Sequence, residues 1–392
     1  MKIAKLFIGD PNSRKGYFNN VIERCKKIKE IESDVDFFII RLRYDFFARL
    51  LRGGELNFSY FDDSIIIEDI KFKNIWLDVS VFDYFFSQKA NKSVVLAPNK
   101  LKKMVHIFEN YDLISCHGLE AIFLANHVHD ILRIPYIATW HGSDINVIPF
   151  KSSYKLNGIK KLLESAHHNF FVSEKLMLVA KKISSNVSMS VLYTGPSDIF
   201  FKYSAEQKKR ARTKLNISED YVVGYIGNLV PIKNVLILPE IFAEIRKYVN
   251  ANLSFIVIGD GPLQAQLNEK FALLGIDNIH MLGKKLPHEI PDIMNCLNVL
   301  LLPSLNEGLP RVTLEAHTCG VHVVGSDRGG IPEAIGIENC FELNSFFIKN
   351  AAERVVELLI GSQEQAKLSE KFSWKKALGQ EKLVHNMLKN NA

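Results

Sequence analysis

Two glutamates, Glu307 and Glu315, have seven residues between them in the stretch PSLNEGLPRVTLEAHTCGVHVVGSDRGGIPE (303–333). The apolar run before them predicts a buried strand, and a proline and a glycine mark the start and the stop of a following helix. The amides at the start of such a helix, from Gly308 to Val312, can stabilise phosphate oxygens. Glu307 would then lie within a sugar's width of a diphosphate, and Glu315 would reach the two hydroxyls of a ribose.

The same two glutamates are also compatible with ordinary surface positions, because acids are favoured at helix starts. The spacing alone leaves both interpretations open. A glycosidase is disfavoured, because the loop and helix positions aim the carboxylates at ribose and sugar hydroxyls and not across one glycosidic bond.

Two earlier strand–loop–helix segments could contact the same phosphates. In VVGYIGNLVPIKN (222–234) a strand runs into Gly227, and Lys233 stands just before an amphipathic helix, where its charge adds to the positive helix end. A solvated loop lysine is the alternative. In FIVIGDGPLQAQL (255–267) a strand ends in a turn that contains Gly261, where the backbone can approach a ligand, although many α/β turns share this pattern.

Short apolar runs recur along the chain with helical segments between them, which is typical of α/β proteins. A charged, helix-prone segment (204–220) precedes a fresh strand at Tyr221, so we place a domain boundary near 196–205. The predicted strands are, in chain order, IAKLFIG, VDFFIIRL, SIIIED, DLISC, YIATW, NFFVS, SVLYTG, YVVGYIGNL, LSFIVIGDG, NIHML, NVLLLPS, VHVVGS and NCFEL.

The composition indicates a folded protein of two domains, since the chain has 392 residues, 47% of them hydrophobic and 23% charged. No stretch reaches about 18 uninterrupted apolar residues, so we expect no spanning helix, and the N-terminal run is interpreted as a strand and not as a signal peptide. The net charge of +6 is compatible with an anionic partner such as a phospholipid surface or a sugar diphosphate. Nucleic acid is not expected, because the basic clusters lack an aromatic stacking pattern.

The cysteines and acids also limit the chemistry. The five cysteines are odd in number, scattered and never in a C-x-x-C pair, which argues against a disulfide framework or a zinc site and for the reducing cytosol. No D-x-D motif stands at a strand end, so we expect neither a metal ion nor another cofactor. The aromatic stretch Phe82–Phe86 is interpreted as core or a surface helix, with a membrane-facing patch as the alternative.

The run 303–333 resembles the E-x7-E signature of the retaining glycosyltransferases of family 4, which have the GT-B fold. Other segments line up with that family in order: IATWHGSDIN resembles its H-G segment, GNLVPIKN its G-R-L-x-x-x-K-G segment, and VIGDGP its G-x-G-P turn. The segment KFSWKKALGQEKLVHNML resembles the last helix, which in that fold crosses back onto the N-terminal domain. The resemblance therefore spans nearly the whole chain.

This resemblance implies a GT-B architecture of two doubly wound Rossmann-like α/β domains that face each other across a cleft. Residues 1–200, with the C-terminal helix 374–392, would form the acceptor-side domain. Residues 201–373 would bind the nucleotide sugar.

The resemblance also implies roles for particular residues. Glu307 matches the glutamate that contacts the donor sugar, Glu315 the one that binds the nucleotide ribose, and Lys233 the lysine on the donor diphosphate. Gly308 and Leu309 would offer backbone amides to the phosphates.

Further site residues follow from the same resemblance. His117 matches a histidine near the transferred sugar and completes the expected catalytic set with Glu307 and Lys233. The other implied positions are His141 and Asp144 on the acceptor side, Lys285, whose backbone region reads the base, and Gly16 and Gly261 near the donor.

The chain departs from the family pattern at three places. Asn228, a donor-side position, stands where many members have an arginine, so Lys233, the helix dipole and Arg311 would have to neutralise the diphosphate. Gly16 stands alone where a Gly-Gly pair is usual, and TGPSDIF replaces the usual Asn-Gly start.

The sequence thus predicts a retaining glycosyltransferase that moves a hexose-type sugar from a nucleotide donor, expected to be UDP-linked, to a glycan or lipid-linked saccharide in bacterial surface polysaccharide biosynthesis. The expected location is cytoplasmic, with peripheral contact at the inner face of the cytoplasmic membrane as a further expectation. Two alternatives remain open at this point: a nucleotide-sugar epimerase on the same fold, and a non-catalytic scaffold that binds sugar nucleotides.

Overall fold

The computed structural model describes residues 1–9, 16–45, 62–81, 104–249, 252–361 and 365–390. The predictions for Phe82–Phe86 and for the loop before Gly16 lie outside the described residues. The chain divides into two compact units, unit 1 (Met1–Leu192 with Trp374–Ala392) and unit 2 (Tyr193–Ser373). The sequence had placed the boundary near 196–205.

Unit 1 is built on a sheet whose strands are β1 (Ile3–Ile8), β2 (Val35–Tyr44), β3 (Ser64–Ile67), β4 (Ile70–Val79), β5 (Leu113–His117), β6 (Tyr136–Trp140), β7 (His168–Phe171) and β8 (Met189–Val191). Their order across the sheet is β3-β4-β2-β1-β5-β6-β7-β8. The described neighbours run parallel except β3 and β4, which form an antiparallel pair at one edge. The connections reverse direction between β1 and β5, which is where doubly wound sheets open a crevice.

The sequence analysis missed β4, since it predicted no strand over these residues. Lys71, Lys73 and Asp78 interrupt the apolar pattern of this segment. In the structure β4 pairs with β2 on one side and with β3 on the other. Its apolar side chains pack into two hydrophobic cores, Ile70 and Phe72 in one and Ile75 and Leu77 in the other, while its charged side chains stay accessible. The hairpin turn between β3 and β4 places Glu68 and Asp69 in the left-handed region, with φ of 48° and 67°.

Unit 2 is built on the strands β9 (Tyr221–Ile226), β10 (Leu253–Ile258), β11 (Ile279–Gly283), β12 (Val299–Leu302), β13 (His322–Ser326) and β14 (Cys340–Phe341). They lie in the order β11-β10-β9-β12-β13-β14 and the pairs are parallel. This is the strand order of a dinucleotide-binding sheet, with its switch point between β9 and β12.

Helices cover both faces of the unit 2 sheet. Along β10, Phe255 and Val257 belong to one apolar core, whereas Ile256 and Ile258 belong to the other. A strand that is buried on both faces reads as a continuous apolar run, which is why the sequence identified it. Within the described residues, no helix has both the length and the apolar composition to cross a membrane.

The helices used below are numbered in chain order: α1 (Gly16–Lys29), α2 (Leu119–Leu132), α3 (Ser143–Asn146), α4 (Ser153–Ser165), α5 (Glu174–Ile183), α6 (Ala205–Lys214), α7 (Leu238–Arg246), α8 (Gln264–Leu273), α9 (Ile290–Cys296), α10 (Arg311–Thr318), α11 (Ile331–Ile335), α12 (Phe347–Ile360) and α13 (Trp374–Asn390).

The C-terminal helix α13 packs in unit 1 around a buried ion cluster. Glu381 of α13 contacts Lys5 of β1, with 2.9 Å between Oε2 and Nζ, and its other oxygen accepts from Arg24 of α1. Lys5 is 0% exposed, and this carboxylate is its buried counter-ion. Burial alone would raise the pKa of Glu381, but Lys5 and Arg24 hold it at about 2.

We expect Glu381→Ala to destabilise unit 1 by about 3–5 kcal/mol, because it leaves Lys5 and Arg24 buried without a counter-ion. Trp76, Trp140 and Trp374 are the chain's three tryptophans and all belong to unit 1, so urea unfolding followed by tryptophan fluorescence reports on this unit.

Lys382→Ala, at an exposed position of the same helix, is the matched control and should change little. The stabilisation should be present above pH 4.5, the ordinary pKa of a glutamate, and should be lost as the pH falls towards 2. Equal unfolding midpoints for the two variants would contradict the assignment.

Candidate functional site

The carboxyl ends of β9 and β12 lie side by side in unit 2 and carry the predicted donor-side residues. Asn228 and Lys233 follow β9, whereas Glu307, Gly308 and Leu309 follow β12. The paired residues of these two strands are Val223 with Val299 and Gly224 with Leu300, both before the carboxyl ends. Loops at such a switch point form the ligand crevice of doubly wound sheets.

Lys233 and Glu307 form an ion pair between the two loops, from Lys233 Nζ to Glu307 Oε1. The lysine is 25% exposed and the glutamate 12%, so the pair is mostly buried but still reaches solvent. The loops also share a backbone bond, in which the Leu305 amide donates to the Ile232 carbonyl at 2.8 Å. The structure therefore brings together two of the predicted catalytic residues.

Glycines let a third loop close against the loop after β9. A Cβ on Gly259 would lie 1.9 Å from the Gly227 carbonyl oxygen, and one on Gly261 would lie 2.3 Å from the Leu229 carbonyl oxygen. The Leu229 amide in turn donates to the Asp260 carbonyl at 2.8 Å. The close packing of the two loops therefore requires a glycine at position 261 whether or not a ligand binds there.

The sequence analysis did not single out Gly329 and Gly330, which hold the backbone of Glu307. A Cβ on Gly329, where φ is 58°, would lie 1.9 Å from the Glu307 carbonyl oxygen, and the Gly330 amide donates to the same oxygen at 3.1 Å. The signal was the Gly-Gly pair in SDRGGIPE, since a backbone can approach this closely only at glycine.

The start of α10 presents unused amides next to the ion pair. Within the described residues, the amides of Gly308 and Leu309 have no acceptor. Pro310 caps the helix, and the Thr313 amide and hydroxyl both donate to its carbonyl, at 3.2 and 2.6 Å. Amides at a helix start attract anions, so this end of the loop can bind phosphate oxygens.

Glu315 lies one turn into α10, the helix that directly follows the Glu307 loop. Burial raises the pKa of its carboxyl, and the charge of Arg311 opposes this only in part. Arg311 itself donates to the Gly195 carbonyl at 3.4 Å.

Two other donor-side residues lie apart from this contact. Asn228 is exposed, and its carbonyl accepts from the buried Tyr225 hydroxyl at 3.0 Å. Lys285 follows β11, which is separated from β9 by β10, and its ammonium lies 3.9 Å from Glu289.

Unit 1 has two histidines at the carboxyl edge of its own sheet, of which His117 is buried and His141 is half-buried. His117 ends β5 and stacks on Phe7 of β1, with 4.8 Å between ring centroids, and His141 follows β6 with its ring 5.6 Å from that of His117. Burial lowers the pKa of His117 far below its usual value. The pKa of His141 is lowered to about 3, mainly by burial and to a smaller extent by the charge of Arg24. Arg24 also contributes to the lowered pKa of His117. Both imidazoles are therefore neutral at neutral pH.

Asp144 has a local structural role in the turn after β6. Both carboxylate oxygens of Asp144 accept backbone amides, from His141 at 2.9 Å and from Gly142 at 2.7 Å, which closes the turn at α3. Burial nevertheless raises the pKa of Asp144, since these bonds offset it only in part. Gly16 is the first residue of α1.

Within the described ranges, no group of three or more His, Cys, Asp or Glu side chains could hold a metal ion. The cations and dipoles at the unit 2 switch point are Lys233 and the start of α10.

We expect Glu315→Gln to stabilise the protein, and to do so more at pH 8 than at pH 5. The folded-state pKa of Glu315 is raised, so ionisation of its carboxyl destabilises the folded protein. This destabilisation grows as the pH rises through that pKa. Calorimetric unfolding at both pH values measures this difference. Glu353→Gln, at an exposed glutamate of α12, should show no such pH-dependent gain, and an equal gain in both variants would contradict the expectation.

Comparison with known proteins adds family information to this geometry. Residues 207–375 match the family model described as glycosyl transferases group 1. TuaC of Bacillus subtilis (strain 168), whose name assigns it to teichuronic acid biosynthesis as a glycosyltransferase, is 32% identical over 228 residues. That alignment covers 57% of this chain and 55% of TuaC, so the chain matches about half the length of that relative.

Two further matches extend over more of the chain. The UDP-Gal:alpha-D-GlcNAc-diphosphoundecaprenol alpha-1,3-galactosyltransferase of Escherichia coli is 24% identical over 319 residues, which covers 73% of this chain and 75% of that protein. The crystal structure of Anabaena Alr3699/HepE in complex with UDP has a TM-score of 0.76 at 20% identity, covering 99% of this chain and 100% of that one. The group 1 match in residues 207–375 and the names of these relatives support a transferase enzyme, and the likeness to the solved structure shows the GT-B fold.

Proposed function

We propose that this chain is a retaining glycosyltransferase that moves a hexose from a UDP-linked donor to a glycan or lipid-linked saccharide in bacterial surface polysaccharide biosynthesis. The observation that carries the proposal is the contact of Lys233 with Glu307 at the switch point of unit 2. Beside it lie the amides of Gly308 and Leu309, which have no acceptor among the residues that the structure describes. A sugar diphosphate needs a cation and amides for its phosphates and an acceptor of hydrogen bonds for its sugar, and this loop pair offers all three.

Lys233 has two roles in this proposal. In the free protein it neutralises Glu307, and with a donor bound it also faces the diphosphate. Asn228 stands where many family 4 members have an arginine, so Lys233 and the start of α10 neutralise the leaving group without that second cation. The carbon–oxygen bond to the diphosphate then breaks as the acceptor oxygen attacks from the same face, and a leaving phosphate oxygen takes the acceptor proton.

Glu315 is the proposed ribose ligand. An ionised carboxylate accepts hydrogen bonds from two vicinal hydroxyls, and the raised pKa of Glu315 means that its ionised form is costly without them. Donor binding would supply those hydroxyls. The backbone around Lys285 is the proposed contact of the base.

The UDP and acceptor assignments draw support from the relatives. HepE was crystallised with UDP, the E. coli relative is named for UDP-Gal and a diphosphoundecaprenol acceptor, and TuaC is named for teichuronic acid. In unit 1, the neutral imidazoles of His117 and His141 suit hydrogen bonding to sugar hydroxyls. We propose His117 as a contact of the transferred sugar, and His141 with the turn closed by Asp144 as acceptor-side contacts.

The proposed location is the cytoplasm, and the proposed reaction uses no metal ion. The five cysteines are free thiols, which suits a reducing compartment. Lys233 and the start of α10 take the place that a divalent cation has in other sugar-nucleotide enzymes.

The Lys233–Glu307 contact predicts opposite effects for its two partners. Glu307→Ala should lower transfer by about 100-fold or more and leave UDP binding unchanged or tighter, because Lys233 is released to the diphosphate. Lys233→Ala should weaken UDP binding by about tenfold or more, since it removes a charge-assisted contact. Transfer from UDP-sugars and UDP titration calorimetry measure the two effects.

The matched control is the Lys270–Glu240 ion pair of the same unit, with 2.8 Å between its charged atoms. Lys270→Ala and Glu240→Ala should leave both measurements close to those of the parent. Near-normal turnover in Glu307→Ala would overturn the role given to this residue.

UDP and one UDP-sugar should each raise the unfolding temperature of the full chain. For each ligand, the shift with EDTA should equal the shift without it. Ligand at about 100 times its Kd stabilises by about 2.7 kcal/mol. The shift should be lost in Glu315→Ala and kept in Glu353→Ala. Loss of the shift with EDTA would contradict metal independence, and mass spectrometry that finds a new sugar nucleotide without any acceptor would favour the epimerase.

A further inference from the structure

A surface pocket with a volume of about 480 Å³ opens in unit 2, apart from the donor-side loops. Small-molecule sites of proteins have volumes of about 300–1,000 Å³, so this pocket has the size for a metabolite. We call it the basic pocket and define it by six of the side chains that line it, Lys202, His317, Thr318, Gln365, Lys367 and Leu368.

The basic pocket lies at the edge of the unit 2 sheet opposite to the ligand crevice. Strand β12 runs towards the crevice, where Glu307 follows it, and α10 then leads back to the start of β13. The two strands are parallel and begin side by side, with His322 paired to Val299. His317 and Thr318 are in the last turn of α10, just before β13. A ligand in the basic pocket would therefore lie apart from one held by the Glu307 loop.

The buried side chain of Asn295 fixes the backbone on both sides of Lys202. Its oxygen accepts from the Tyr203 amide at 2.9 Å, and its nitrogen donates to the Phe201 carbonyl at 3.1 Å. Lys202 itself is exposed and makes no hydrogen bond or ion pair with the residues that the structure describes. The fold thus holds a lysine at the basic pocket and gives it no described counter-ion.

The end of α10 brings Lys202 and Gln365 together. A Cβ on Gly320, where φ is 78°, would lie 3.6 Å from Lys202 Cδ and 3.4 Å from Gln365 Oε1. Leu368, on the same segment as Gln365, packs against the apolar core that contains Cys319. Three segments that are distant in the chain are therefore held around the basic pocket by contacts of the fold.

The polar groups of the basic pocket are cations and neutral hydrogen-bonding groups. Lys202 and Lys367 carry positive charge, and none of the described residues that line the pocket is acidic. Burial lowers the pKa of His317 to about 4, and the charge of His322 adds to this effect while Glu338 opposes it. The imidazole of His317 is therefore neutral at neutral pH, and it makes no hydrogen bond within the described ranges. Such a ring can donate from one nitrogen and accept at the other.

We propose that the basic pocket binds a small phosphorylated sugar. The phosphate contacts the ammonium groups of Lys202 and Lys367, because cations form charge-assisted hydrogen bonds with phosphate oxygens. The hydroxyls contact His317 and Gln365, since a neutral imidazole and a carboxamide can both donate and accept. Leu368 provides an apolar wall for the carbon-bound hydrogens of the sugar. This binding goes beyond the proposed function and does not depend on it.

The test is titration calorimetry of the full chain without nucleotide, with glucose 6-phosphate, glucose 1-phosphate and ribose 5-phosphate as probes. At least one probe should bind, and inorganic phosphate and glucose should bind at least about tenfold more weakly, because each offers only part of the contacts. Lys202→Ala with Lys367→Ala should lower the affinity by about 100-fold, since two charge-assisted contacts are lost. His317→Ala should lower it by about fivefold.

Lys209→Ala with Lys349→Ala is the matched control, because it removes two exposed lysines of unit 2 that do not line the basic pocket. This variant and Lys233→Ala should both bind the probe as the parent does. UDP binding by Lys233→Ala, measured separately, reports on the proposed function and leaves this result independent of it.

Three results would overturn the proposal. The first is that none of the three probes binds, and the second is that inorganic phosphate binds as tightly as the sugar phosphates. The third is a probe whose binding is lost in Lys233→Ala and kept in the Lys202/Lys367 variant, which would assign it to the donor-side loops.

Discussion

The donor-side geometry depends on the ion pair between Lys233 and Glu307. The two residues are 74 positions apart in the chain, and they meet because β9 and β12 are neighbours at the switch point of the unit 2 sheet. In this mostly buried position the lysine and the glutamate stabilise each other. The ion pair also holds the ammonium and the carboxylate, a hydrogen-bond acceptor, next to each other. Next to this pair, the amides of Gly308 and Leu309 have no acceptor within the described part of the chain and can donate to an anion.

Close backbone approaches fix the loops that carry these charges. Gly259 and Gly261 lie against the backbone of the loop after β9, and Gly329 lies against that of Glu307, at distances that leave no room for a Cβ. Such contacts allow little sliding between loops, so the side chains are positioned before any ligand arrives. Pre-organised charges of this kind avoid a reorganisation cost during reaction.

Unit 1 depends on a different electrostatic arrangement. Glu381 brings α13, β1 and α1 together through Lys5 and Arg24, and the charge of Arg24 also contributes to the lowered pKa values of His117 and His141. Arg24, which contacts Glu381, thus also acts on the two histidines at the carboxyl ends of β5 and β6. Burial is the larger cause of the neutral state, and Arg24 adds to it.

The sequence by itself determined the α/β class, most strands and the loop and helix positions of Glu307 and Glu315, because apolar periodicity and glycine or proline breaks are local properties. It missed β4, because lysines interrupt its apolar pattern and only packing into the hydrophobic cores of unit 1 shows which of its side chains are buried. Only the tertiary structure decided that Lys233 contacts Glu307, that Gly329 supports the Glu307 backbone, and that Lys5 is balanced by Glu381. These are contacts between distant segments, and strand order, which no local pattern encodes, decides which segments meet.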